Sequence, residues 1–146
     1  MRAVDGLSDE TIRDILTSVR TIAVVGASPN PARPSNEVLG VLIDRGYETF
    51  PVSPGHAGAR IRGRIVSARL ADVPKAIDMV DVFRNSAAAG GVVDEALRLD
   101  PVPRVIWMQL GVIDEEAAAR ARARGVLVVM NRCPSIELRR LFRPGS

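Results

Sequence analysis

Apolar positions along the chain follow two rhythms. Short apolar runs (TIAVVG, YETFPVSP, DMVDVFRN, PRVIWMQLG and VLVVMN) read as strands. Those apolar throughout, AVV, VIWM and VLVVM, suit strands covered on both faces. Between them, apolar residues recur three or four positions apart, the spacing of a helix with one buried face. SDETIRDILTSVR places Thr11, Ile12, Ile15, Leu16 and Val19 on such a face behind Ser8 as N-cap. SNEVLGVLIDRG does the same with Val38, Leu39, Leu42 and Ile43, with Ser35 as the expected N-cap and Gly46 as the stop. SAAAGGVVDEALRLD is a third helix, weakened by Gly90 and Gly91. DEEAAARARARG carries acids in its first turn, arginines in its last and a terminating Gly125. PSIELRRLF closes the series, with proline at its first position. Two stretches carry little pattern. GHAGARIRGRIV is a Gly- and Arg-rich connection without a clear period, and IVSARLADVP a weak strand and turn ended by Pro74.

Strands alternating with helices predict an α/β fold. The expected architecture is a doubly wound parallel sheet of about five to six strands in a three-layer αβα arrangement. One domain spans 1–146, with its core at about 21–141 and an N-terminal helix at about 8–20. Residues 1–7 and 144–146 are expected to be loose.

Composition sharpens this picture. Hydrophobic residues make up 47% of 146 and charged residues 25%, the balance of a globular chain. Aromatics are only 3%, so Val, Ile, Leu and Ala must build the core. The net charge of +3 comes from 20 basic and 17 acidic residues, and Lys75 is the single lysine. The arginines are scattered rather than gathered into a basic block, which argues against a nucleic-acid partner. Cys133 is the single cysteine, so no intrachain disulfide framework exists. The start, MRAVDGLSDE, has no apolar signal core, and no apolar run approaches the ~20 residues of a membrane span. A soluble, cytoplasmic protein without a membrane partner is expected.

In an open parallel sheet, ligands bind at the carboxyl ends of the strands, near the point where strand order reverses. The first strand ends at Gly26, Ala27 and Ser28, and the next helix begins near Ser35. A helix N-terminus favours an anion. Gly26 permits a sharp turn, Ser28 and Ser35 offer hydroxyls, and Arg33 adds charge. Pro29, Pro31 and Pro34 stiffen the loop. Glycine and serine alone describe an ordinary capped turn. A loop of about eight residues, against the usual 2–6, shifts the reading toward ligand binding. The dinucleotide fingerprint G-x-G-x-x-G is missing, since the glycine after Gly26 is Gly40. The second strand ends at Val52, Ser53 and Pro54, without the acid that reads an NAD ribose. A 2′-phosphate site using Ser53, Arg60 or Arg62 stays open as an NADP-type alternative.

The stretches VVGASPNPARPSNEV, GYETFPVSP, SARLADVP, VDVFRNS, VIWMQLGV and VVMNRCPSIEL, over 21–141, together resemble a known family. It is that of stand-alone CoA-binding proteins, related to the amino-terminal CoA-binding domain of the succinyl-CoA synthetase alpha subunit. The resemblance implies a Rossmann-like fold with coenzyme A, or an acyl-CoA, lying across the strand ends. It implies that Gly26, Ala27, Ser28, Arg33, Pro34 and Ser35 meet the phosphates. Val52, Ser53 and Pro54 then line the adenosine side, and Phe83 and Arg84 close over the middle of the ligand. Met108 and Gln109 lie at the next strand end, while Trp107 is expected to face the packed side. Arginine forks and a helix end form an adequate receptor for a pyrophosphate and a 3′-phosphate.

Catalytic machinery is not expected. The related synthetases pass phosphate through a histidine in a further domain, which does not fit this length. The single histidine, His56, reads as a solvated loop residue. No metal-ligand cluster and no P-loop ending in G-K-[ST] is present in the sequence. Cys133 follows Arg132 and precedes the Pro134 helix start, where charge and helix dipole would favour a thiolate. A mixed disulfide with the CoA thiol is one reading, a buried apolar filler the other. The expected function is therefore a non-catalytic CoA-binding module. The alternatives are an NADP-type oxidoreductase on the same fold and a CoA-binding partner subunit of a larger acyl-CoA ligase. Homo-oligomer formation stays open.

Overall fold

Each amphipathic segment forms a helix, and each apolar run a strand, in the computed structural model, which describes residues 3–142. The N-terminal helix α1 spans Asp9–Ser18, capped by the Ser8 hydroxyl accepting from the Thr11 amide at 3.2 Å. Strand β1 (Thr21–Val25), helix α2 (Pro34–Asp44) and strand β2 (Glu48–Val52) form the first parallel unit. A short antiparallel hairpin follows, β3 (Arg60–Ile61) with β4 (Arg64–Ile65). Strand β5 (Met79–Val82), helix α3 (Ser86–Leu97), strand β6 (Val105–Met108), helix α4 (Glu115–Ala123), strand β7 (Leu127–Val129) and helix α5 (Pro134–Leu141) complete the chain.

The main sheet has five strands in the order β2-β1-β5-β6-β7, all parallel. Its order reverses at β1, from which the chain moves first to β2 and later to β5, so the switch point lies between β1 and β5. Helices α3 and α4 cover one face, where Ala89, Val93, Ala117 and Ala121 pack with Val80, Val82, Ile106 and Met108. Helices α1, α2 and α5 cover the other, where Ile12, Leu39, Leu42 and Leu138 pack with Ile22, Val24, Met79 and Trp107. The alanines of α3 and α4 bring those helices close to the sheet, which is how a chain poor in aromatics fills its interior. Trp107 is fully buried and donates from Nε1 to the Arg132 carbonyl at 2.8 Å.

Three expectations are corrected. The Gly- and Arg-rich connection forms the β3–β4 hairpin, whose Ile61 and Val66 pack on the α2 side. The N-cap of α2 is Arg33, not Ser35: Pro34 takes the first helical position, which suits its fixed φ, and Ser35 falls inside the first turn, buried. Residues 3–7 are not loose. The Asp5 carboxylate is fully buried and accepts from Arg132 Nε and Nη2, both at 2.9 Å, and from the Leu7 and Met130 amides. Arg132 also pairs with Glu137 at 2.7 Å, tying the N-terminal segment to the start of α5. The expectation for residues 1–2 and 144–146 lies outside the described residues.

Candidate ligand-binding site

The chain turns sharply where β1 ends. Gly26 has φ +89°, and a Cβ there would lie 2.3 Å from the Phe83 carbonyl oxygen at the end of β5. Only glycine fits between two strand ends this close. The Gly26 and Ala27 amides donate to the Val52 carbonyl at 2.9 and 3.3 Å, which draws the end of β2 alongside. Three strand ends thus meet at one point beside the switch.

The loop beyond is wound on itself. The Asn30 amide donates to Ser28 Oγ (3.1 Å), the Ala32 amide to Asn30 Oδ1 (2.9 Å) and the Arg33 amide to the Asn30 carbonyl (3.0 Å). Buried Asn36 donates from Nδ2 to the Ser28 carbonyl at 3.0 Å. Pro29, Pro31 and Pro34 carry no amide hydrogen. Among the described residues, this leaves the Ser28 and Ser35 N–H groups without an acceptor within the chain. Arg33 caps α2 without a side-chain bond, so the positive end of the helix stays uncapped.

An open cavity of about 420 Å³ lies over this point, lined by Gly26, Ala27, Ser28, Arg33, Pro34, Ser35, Ser53, His56, Phe83 and Arg84. The volume lies within the range of small-molecule sites. Its charged lining residues are Arg33 and Arg84, and no carboxylate lines it. Two arginines, two unoccupied amides and a helix N-terminus make a receptor for an anion rather than a metal. A cavity of about 310 Å³ at the opposite, amino ends of the strands is lined by Leu70, Lys75, Asp100 and their neighbours and has no comparable donor set.

Nine of the fourteen residues singled out in the sequence line this cavity together. Val52 reaches the site only through its carbonyl, its side chain being buried in the core on the α3–α4 side of the sheet. Pro54 is exposed at the start of a short 3₁₀ turn and outside the lining. Met108 is fully buried on the α3–α4 face, opposite Trp107, as strand alternation requires. Gln109 is buried with Oε1 unpartnered, outside the lining. Cys133 caps α5 in the core shared by α1 and α2. His56, expected as a solvated loop residue, is exposed and also enters the lining. Its Nδ1 lies 3.1 Å from Ser53 Oγ, brought there by the Pro54–His56 turn. The P-G-H turn signal after β2 was the cue available for it. Arg60 and Arg62 stay outside, since Arg60 bonds to its own hairpin at the Gly63 carbonyl and Arg62 to Asn36.

A family model described as CoA binding domain matches residues 20–139. The chain belongs to this family. It is 38% identical over 126 residues to the uncharacterised protein YneT of Bacillus subtilis, covering 86% of this chain and 90% of that one. The chain is similar in structure to a hypothetical protein from Pyrococcus horikoshii OT3 (TM-score 0.89, 37% identity, 97% of this chain and 96% of that chain). The fold also recurs in a dinucleotide-forming acetyl-coenzyme A synthetase of Ca. Korarchaeum cryptofilum, with TM-score 0.65 at 24% identity, over 74% of this chain and 25% of that one. No helix among the described residues is long and apolar enough to cross a membrane.

Proposed function

We propose that this CoA binding domain protein holds coenzyme A, free or acylated, by its phosphates at the carboxyl ends of β1, β2 and β5, as a binding module without catalytic chemistry of its own. The observation that carries this reading is the uncapped start of α2. The Ser28 and Ser35 amides are unoccupied there, between Arg33 and Arg84, in a cavity with no carboxylate in its lining. A diphosphate supplies the missing acceptors and neutralises both arginines. Ser53 and His56 border the adenosine end, and Phe83 lies where the middle of the ligand crosses. Val52 contributes through its carbonyl, which holds Gly26 and Ala27 in the turn. With Arg60 and Arg62 engaged elsewhere, Arg33 and Arg84 are the arginines left for phosphate contact. A binding module fits this lining, in which neither a carboxylate nor a thiol stands beside His56.

Titration calorimetry with coenzyme A, dephospho-CoA, NADP and ATP tests the reading. Coenzyme A is expected to bind tightest. Arg33→Ala and Arg84→Ala should each weaken it about tenfold or more, the worth of one charge-assisted contact. Binding of NADP in preference to coenzyme A, or of none of the four, would overturn the assignment.

A further inference from the structure

Arg62 stands outside the ligand cavity, yet the hairpin that carries it is built around its side chain. The β3–β4 turn consists of Arg62 (φ +50°) and Gly63 (φ +81°). Two positive φ angles in a two-residue hairpin turn select Asn-Gly or Gly-Gly, because a side chain strains this region. Arginine at the first position therefore opposes local preference, and its contacts show what holds it there. Nε donates to both the carbonyl and the side-chain Oδ1 of Asn36, at 2.9 and 3.0 Å. Asn36 in turn donates from Nδ2 to the Ser28 carbonyl at 3.0 Å. Four residues beyond Asn36, on the same face of α2, Gly40 leaves bare helix surface under the guanidinium. A Cβ at Gly40 would lie 2.5 Å from Arg62 Nη1 and 2.6 Å from Cζ. Among the described residues no carboxylate pairs with Arg62. The side chain is spent on one buried amide and one helix face.

We propose that Arg62 is a positioning residue of the ligand site. Acting through Asn36, it fixes the Ser28–Pro29 peptide and so sets the phosphate-facing loop against the start of α2. The loop is thereby preorganised from outside, and the ordering cost that would otherwise fall on binding is met during folding. The inference rests on the coenzyme A reading only for what the loop holds. Its order is measurable without any ligand.

The test uses Arg62→Asn, Gly40→Ala and Asn36→Ala. Asparagine suits the turn, so Arg62→Asn keeps the hairpin and removes only the guanidinium. Alanine at Gly40 favours the helix and meets only the movable end of the arginine, so it displaces the side chain without lowering the melting temperature. NMR hydrogen exchange in ligand-free protein should show the Asn30, Ala32 and Arg33 amides exchanging about tenfold faster in both variants, the worth of one charge-assisted hydrogen bond. Coenzyme A affinity should fall by a similar factor. The combination Arg62→Asn with Asn36→Ala should be no weaker than the worse single variant, since both break one relay. Unchanged exchange in both Arg62→Asn and Gly40→Ala, or strictly additive losses of affinity, would overturn the proposal. A loosened loop in variants of a protein that does not bind coenzyme A would uphold the positioning role and fault the ligand reading alone.

Discussion

Replacing Gly26 by alanine puts a methyl carbon 2.3 Å from the Phe83 carbonyl oxygen and 2.9 Å from its carbon. Neither backbone can yield cheaply. The Phe83 amide donates to Val25 at 2.8 Å and the Gly26 amide to Val52 at 2.9 Å, so movement of either strand end breaks a bond that continues the sheet. The positive φ costs an L-residue about 1–2 kcal/mol, and overpacking adds about 1–3, which together give about 2–5 kcal/mol. For a domain of this size that lowers the melting temperature by about 5–15 °C. The matched control is Gly91→Ala. Gly91 lies inside α3 with nothing within 4 Å of an added Cβ, so the same methyl group should stabilise by up to about 1 kcal/mol. Thermal melts followed by circular dichroism read both variants, and calorimetry follows coenzyme A. A Gly26→Ala protein melting within a degree of the parent, with unchanged affinity, would refute the close approach of β1 and β5 on which the site depends.

Three further outcomes follow from the packing. Asp81 is fully buried on β5 between Val24 and Trp107, and neither of its carboxylate oxygens has a hydrogen-bond partner. Burial raises its pKa well above the ordinary value, so the folded state keeps a proton that the unfolded chain has lost, and stability falls as pH rises above the usual carboxylate range. Asp81→Val should therefore stabilise by about 1–3 kcal/mol near neutral pH, and by less near pH ~4, in denaturant titrations at several pH values. Burial alone would also raise Asp5 and Glu137. The hydrogen bonds from Arg132, with amides for Asp5 and Arg140 for Glu137, outweigh it and hold both below the ordinary range. The stability they contribute is present above that range and is lost as pH falls through it. Asp5→Ala leaves the buried Arg132 with Glu137 as its remaining carboxylate, and the lost charge-assisted hydrogen bonds should cost about 2–4 kcal/mol in the same titrations. Cys133 is only 7% exposed, so its reaction with a thiol reagent should be limited by opening of the native protein, and coenzyme A should not protect it beyond its effect on stability.

The sequence made the elements readable because both sheet faces are covered. Buried strands then read as unbroken apolar runs, and helices as stripes, as in VIWM and TIRDIL. The turn at Gly26 was legible from its position after the first strand. What escaped it depends on contacts distant in sequence. Asp5 is held by Arg132 at the far end of the chain, and nothing local to the N-terminus signals that anchor. The β3–β4 hairpin was hidden because its turn carries arginine where asparagine is usual, and the reason lies in α2. Strand-end position pointed to Met108, yet alternation with Trp107 turns it into the opposite core. Ser35 looked like a cap because serine commonly is one, but the proline before it had already begun the helix.

The central claim is that the open start of α2 receives the diphosphate of coenzyme A. Titration of ¹⁵N-labelled protein with coenzyme A, followed by NMR, addresses it residue by residue. The Ser28 and Ser35 amides should move most, together with Arg84, while the cavity lined by Leu70, Lys75 and Asp100 at the amino ends of the strands stays still. Saturable binding that leaves Ser28 and Ser35 unmoved would contradict it.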